Sequence, residues 1–384
     1  MPRETNGRAV MRAIGLGLGL TVIFALALEA TVRIDDAIRF GTPLFSRVAS
    51  ERELIVRDSL GEHGRPHARY EKWVINNVGM RGPDVPMVKP PGTLRVVTAG
   101  ASETFGLYET PGHEFPRQLE DTLRARCGPH VEVLNAAMVG MSLPTVEQDL
   151  RLRVRALGPD VVELYPSPVQ YLTDVRPEPA ARDYSPPVPL PLSFALHPRA
   201  AERLRDQFKQ LVPTWLATVL RREDIEREVR AHPAGWRFTG VPQDRLAAYD
   251  ADVRQTIGTI RSIGAIPVVA IHANAFDGEG HLDEPLLVTW EHQYYRATGD
   301  ALLEFESAAA RATMRAANDS GVVFVDLRRM HGAPGARLFA DYSHFTDAGA
   351  ASVASALASV VSDVAGPIVS CDARASVVHA GFGP

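Results

Sequence analysis

The feature that most narrows the fold of this chain is a rhythm of short apolar runs, each bounded by turn residues and separated by longer amphipathic stretches. "LRVVTAG" (94–100), "VEVLNA" (131–136), "DVVELY" (160–165), "IPVVAI" (266–271) and "GVVFVDL" (321–327) read as strands. Helices are expected over Phe115–Cys127, from about Thr145 to Leu157, over 243–263 and 301–318, and from Thr346 to about Val361. Strands that are apolar almost throughout are buried on both faces, and helical spacers return the chain to start a parallel neighbour. The expected domain, residues 91–365, is therefore α/β, with three layers around a central parallel five-stranded sheet.

The remaining segments differ in kind. Arg3, Arg8 and Arg12 precede "AIGLGLGLTVIFALAL" (13–28), which holds no charge. Extended over residues 9–32, it reaches the roughly 20 residues that cross a bilayer. Positive charge upstream favours a cytoplasmic N-terminus and an exported remainder. Residues 1–33 are thus read as a membrane anchor, with a cleaved signal peptide as the alternative because "ALA" at 25–27 resembles a cleavage site. Residues 34–90 show weak periodicity and end in the Pro-rich "MVKPPGT", which suggests a linker and lead-in. Between 174 and 242 a Pro-rich stretch and a charged helical stretch break the rhythm, an insertion read either as a lid beside the sheet or as a solvated spacer. The tail, 366–384, reads as poorly ordered.

Composition removes several classes of function. A 45% hydrophobic and 23% charged chain has material for a substantial core. A net charge of −5 with dispersed Lys and Arg gives no nucleic-acid footprint. Gly-rich "GLGLG" (15–19) lies inside the apolar segment, so it is no nucleotide signature. The two cysteines, Cys127 and Cys371, form no zinc spacing; one bridge is open to them in an oxidising compartment, but two unpaired thiols are the expectation.

Open α/β sheets collect ligands beyond the C-terminal ends of their strands. Ser102 follows the first strand there, Gly140 the second, "YPSPVQ" the third and His272 the fourth. Far downstream, "DYSHFTDAG" (341–349) places Asp341 and His344 three residues apart, so that on a tight turn both side chains share one side. A serine hydroxyl needs a base to take its proton, and that base needs a third group to orient it. Taken singly, Ser102 is equally an N-cap and Asp-x-x-His is common; their joint placement on one rim is the signal. The α/β-hydrolase elbow does not fit, because Thr104 stands where that motif needs Gly. Asp341, His344 and His272 also contain the elements of a metal site, but the serine accounts for the arrangement without one, and no cofactor or metal is expected.

On these residues the chain resembles the SGNH (GDSL-type) hydrolases. Gly100-Ala101-Ser102 stands for the family's Gly-Asp-Ser block, "LNAAMVGMS" with Gly140 for the second block, and "DYSHFTDAG" for the last. "NNVGMRGPD" looks like the lead-in of membrane-anchored members. The resemblance spans 76 to about 362 and implies a flavodoxin-like three-layer fold. It implies Ser102 as nucleophile, His344 as general base and Asp341 as its orienter, with the Ser102 and Gly140 N–H groups as oxyanion donors. The chain departs from the family in carrying Ala101 for Asp, and in lacking the third-block Asn that supplies another oxyanion donor. Losing one such donor costs about 2.7–4 kcal/mol of transition-state stabilisation, and Gln170 and His272 are the candidates to replace it. The activity the resemblance implies is that of an extracytoplasmic esterase acting on acylated glycan or lipid. The alternatives are an acyltransferase to a sugar hydroxyl, or a glycan-binding relic of the fold.

Overall fold

A computed structural model describes residues 4–45, 51–181, 198–277, 282–333 and 335–371. The chain divides into two compact units.

The larger unit is built on strands β1 (Leu94–Gly100), β2 (Val131–Asn135), β3 (Val161–Tyr165), β4 (Ile266–Ile271) and β5 (Val323–Asp326), all parallel, in the order β2-β1-β3-β4-β5. That is the flavodoxin-like order, and its direction of winding reverses beside β1. Alternate residues face opposite sides, and both sides are apolar. Leu94, Val96, Val131, Val161, Val268 and Ala270 meet a helix from Phe115 to Cys127 and another from Asp347 to Ala365. Val97, Leu134, Val162, Leu164, Val269 and Ile271 are buried on the other side. That side is covered by helices Leu143–Leu152, Gln243–Ser262 and Gly299–Asp319. The result is three layers, α/β/α.

Two expectations about elements change. Residues 54–68 and 73–90 belong to this unit: Ile55–Asp58 and Gly61–Gly64 pair as an antiparallel hairpin, and Ile75 and Met80 are buried. Their weak periodicity reflects irregular backbone held by side chains. Asn76 Oδ1, for example, accepts from the backbone N–H of Val78 at 3.0 Å and of Met80 at 2.9 Å. A helix over Glu284–Gln293 also forms where none was expected.

The smaller unit, residues 1–53, 69–72 and 186–213, contains a helix from Glu4 to Phe40 and another from Arg199 to Leu211. The first is long and apolar enough to cross a membrane, and its most apolar window is exposed. It runs past the charge-free stretch as continuous helix to Phe40, beyond residue 33, where the anchor was expected to give way to a linker. Glu29 accepts from the N–H groups of Arg199 and Ala200 at 3.1 and 2.9 Å, satisfying first-turn donors of the second helix. Arg199 then pairs with Asp36 (3.0 Å), Glu71 (2.5 Å) and Glu202 (2.6 Å), and Arg203 with Asp35 and Asp36. Of the expected insertion, 182–197 lies outside the described residues, Arg199–Leu211 falls in this unit, and Thr214–Arg230 is a helix of the larger one. Most of the expected tail, 372–384, also lies outside the described residues.

The expectation of free thiols is corrected: Cys127 and Cys371 form a disulfide across 244 positions. Cys127 ends its helix against the core, with Ser362 of the last helix 3.9 Å from its sulfur. Turn hydrogen bonds from Ile368 and Val369 to the Ala365 carbonyl fold the chain back there. Spacing alone carries no sign of such a return. Cys371→Ser is expected to lower the unfolding free energy of this unit by about 2–4 kcal/mol, read as a lower urea midpoint that dithiothreitol reproduces in the unsubstituted protein.

Candidate active site

β1 passes directly into one helical turn, Ser102–Phe105. Gly100 permits this close return, because a β-carbon there would meet the Tyr165 carbonyl oxygen at 2.8 Å. Ala101 occupies the N-cap position, so the Ser102 hydroxyl is not used as a cap. The turn is braced from the lead-in segment. The Arg81 N–H bonds the Asn135 carbonyl at 3.0 Å, and its guanidinium donates to the carbonyls of Phe105 and Gly106. Asn135 Nδ2 adds a bond to the Thr104 carbonyl at 2.9 Å. The hydroxyl at the start of this turn is therefore carried on a backbone with little freedom.

Asp341 organises the other half. Its Oδ1 accepts the N–H groups of Ser343 (3.0 Å) and His344 (2.9 Å), and its carboxylate takes His344 Nδ1 at 2.8–2.9 Å. With the proton on Nδ1, the lone pair of Nε2 faces Ser102 Oγ at 2.9 Å. Ser102, His344 and Asp341 are thus brought together, 242 positions apart at the serine–histidine contact. Thr110 ties the segment after the serine turn to the start of the last helix, donating to Asp347 from N (2.8 Å) and Oγ1 (2.7 Å). The half-exposed Tyr108 ring stands edge-on to His344 at 5.3 Å.

The electrostatics suit a base beside a serine. Burial works against a charged His344, but the Asp341 hydrogen bond and the carboxylates of Glu103, Asp341 and Glu109 outweigh it and raise the imidazole above its ordinary value. Burial likewise opposes ionised Asp341, yet His344 and the two backbone N–H groups hold it below the usual carboxylate range. An imidazole of raised basicity, aimed at a hydroxyl and steadied by a carboxylate, can take and return a proton.

Gly140 lies in the turn after β2 with φ +83°, the left-handed conformation that glycine adopts readily, at the same sheet edge as Ser102. Gln170, on a 3₁₀ turn after β3, donates from Nε2 to the Met141 carbonyl at 2.8 Å, beside the Gly140 turn. His272, the other candidate donor, lies behind the serine turn. It is buried, its Nδ1 is taken by Glu306 at 2.8 Å, and its Nε2 faces Glu103 at 3.7 Å with no hydrogen-bond partner among the described residues. Among the described residues no cluster of three or more His, Cys, Asp or Glu is arranged to hold a metal.

Sequence reasoning missed Glu103, Glu306 and Ser343. Ser343 Oγ donates to Glu103 Oε1 at 3.1 Å. A glutamate inside the apolar face of the helix over 299–319 was the one available signal for Glu306.

The His344–Asp341 pair has a defined pH window. A raised histidine stabilises the fold fully below its unfolded pKa and loses that contribution as pH rises through its folded value; a depressed aspartate loses its contribution as pH falls through its folded value. Asp341→Asn is therefore expected to cost most stability in mildly acidic buffer and least above the folded pKa of His344, read from urea midpoints of the two proteins across pH.

No protein-family model matches the chain, and no curated protein matches it. The solved structures it is similar to include a GDSL-like lipase from Bacteroides thetaiotaomicron, 12% identical over 70% of this chain and 88% of that one, with a TM-score of 0.38. A lipase/acylhydrolase from Enterococcus faecalis is 13% identical over 70% and 95%, TM-score 0.41. An acetylxylan esterase from Geobacillus stearothermophilus is 14% identical over 69% and 92%, TM-score 0.38. At such low identity, none of these proteins stands in for the chemistry of this one.

Proposed function

We propose that the protein is a serine hydrolase acting on ester bonds. The observation that carries this reading is the hydrogen-bonded line from Ser102 Oγ to His344 Nε2 at 2.9 Å and from His344 Nδ1 to Asp341 at 2.8 Å. Ser102 Oγ attacks the ester carbonyl carbon while its proton passes to His344 Nε2. The tetrahedral oxyanion collapses, the alcohol leaves with that proton, and an acyl-Ser102 ester remains. Water then repeats the sequence, giving up its proton to His344, and releases the carboxylic acid and the serine.

The oxyanion is received by the N–H of Ser102, in the first turn of its helix where no intrahelical acceptor exists, and by the N–H of Gly140. The second amide proton of Gln170 takes the place of the absent Asn donor. Its anchored Nε2, beside the Gly140 turn, supports that assignment. Reaction on the outer side of a membrane is supported by the arginines ahead of the apolar helix and by the disulfide, which persists in oxidising compartments. The substrate class is an O-acylated envelope glycan or lipid.

A fluorophosphonate probe is expected to label the full-length protein in detergent, and Ser102→Ala to abolish labelling. His344→Ala is expected to slow labelling by about a thousandfold or more. An unlabelled wild-type protein would leave a glycan-binding relic as the reading. Incubation with an activated ester, with and without a sugar acceptor, assigns the product: free acid marks the hydrolase, and acylated sugar the transferase.

A further inference from the structure

Directly behind Ser102 lies a buried line of charge that takes no part in the proton transfers of the serine and its base. Glu103 is the next residue in the chain, yet its carboxylate points inward and is 3% exposed as a residue. Its Oε2 lies 3.3 Å from Ser102 Oγ, its Oε1 accepts from Ser343 Oγ at 3.1 Å, and the same Oε1 faces His272 Nε2 at 3.7 Å. His272 holds Glu306 by its other nitrogen at 2.8 Å and stacks on Tyr165, ring centroids 5.3 Å apart. Three elements of the sheet and its cover thus converge beneath the nucleophile: the turn after β1, the end of β4, and the helix over 299–319.

We propose that Glu103 is a positioning residue of the site: anchored from behind by the His272–Glu306 pair, its carboxylate ties Ser102 to the loop bearing His344 and sets a second negative charge beside the imidazole that must become a cation. This rests on the serine-hydrolase reading of the protein.

The chemistry of the line supports a permanent charge. Burial would make Glu103 neutral, but the interaction with His272 and the fields of His344 and His272 leave its pKa at about 2. Burial would likewise strip His272 of its proton, yet Glu306 and Glu103 push it up to about 10. At neutral pH Glu103 is therefore a carboxylate and His272 an imidazolium, with Glu306 hydrogen-bonded to the far nitrogen. The Ser102 hydroxyl has two acceptors in reach, and the nearer and far more basic one is His344, so Glu103 does not compete for the proton; it fixes the oxygen. Ser343 sits between Asp341 and His344 in the chain, so its bond to Glu103 holds base and nucleophile in one frame. The groups facing His344 are Asp341 and Tyr342 on its own loop, Glu103 and Ser102 on the serine turn, and Glu109 and Tyr108 beyond it. Those facing the line from behind are Tyr165, Asp277 and Tyr294.

The test is the pH dependence of kcat/KM for full-length protein in detergent on a p-nitrophenyl ester. The acid limb of that profile reports loss of the proton from His344 in the free enzyme. Glu103→Gln removes a negative charge from beside the imidazole, so the limb is expected to move to lower pH while kcat falls about ten- to a hundredfold. Glu103→Asp, which keeps the charge, is expected to leave the limb at its wild-type position. An unmoved limb in Glu103→Gln, or the same movement in both variants, overturns the proposal, because a merely structural side chain would give either. Should Glu103→Gln lose its cooperative unfolding transition, Ser343→Ala decides. It is expected to lower kcat about three- to tenfold at unchanged KM, and a wild-type kcat overturns the tie. A wild-type protein that neither turns over the ester nor takes the phosphonate probe defeats the serine-hydrolase reading itself, and is told apart from these outcomes by that control.

Discussion

In a parallel sheet every strand ends on the same edge, and that constraint places everything else in this protein. The turn after β1, the loop after β2, the 3₁₀ turn after β3 and the end of β4 all open along one rim. The helices that carry the chain back lie on the faces, away from it. β1 stands where the winding reverses, so the loop that follows it has no crossover helix directly above. The segment carrying Asp341 and His344 enters from after β5, and the last helix returns it under the rim beside the helix over 115–127. A separation of 242 positions becomes a contact of 2.9 Å because both ends belong to one edge.

Beneath that rim Glu103, His272 and Glu306 are buried, and burial makes charge costly unless it is matched. Asp341, Glu103 and Glu306 are matched by His344 and His272, with backbone N–H groups and Ser343 supplying further donors. Glu163, in the middle of β3, shows the opposite case. It is fully buried, neither of its oxygens has a hydrogen-bond partner among the described residues, and burial drives its pKa well above the carboxylate range. The same residue type has its pKa held low at one end of the sheet and pushed up within it. The difference is an imidazole within reach.

Much of the fold is legible in the sequence because its strands are uninterrupted apolar runs and its turns are marked by glycine. β1, β4 and the helix over 115–127 begin and end where the pattern places them. Ser102 is legible because the rule about strand ends converts sequence position into spatial position, and Asp341 and His344 because they stand three residues apart just ahead of the last helix, in a stretch that resembles a known block. What the pattern hides are contacts that depend on side chains meeting from unrelated segments. Glu103 reads as an ordinary helix residue, and His272 as a polar end to an apolar strand; only their convergence gives them meaning. The same holds for Cys371, whose return to Cys127 leaves no periodic trace, and for Asn76 and Arg81, which shape irregular backbone through hydrogen bonds rather than through burial of a face.

Of the acidic residues that grip Arg199 and Arg203, those on the long first helix sit at positions 29, 35 and 36, all beyond the small-residue triplet at 25–27. Loss of the helix up to Ala27 would therefore remove most of its apolar stretch while sparing every carboxylate of that electrostatic seam.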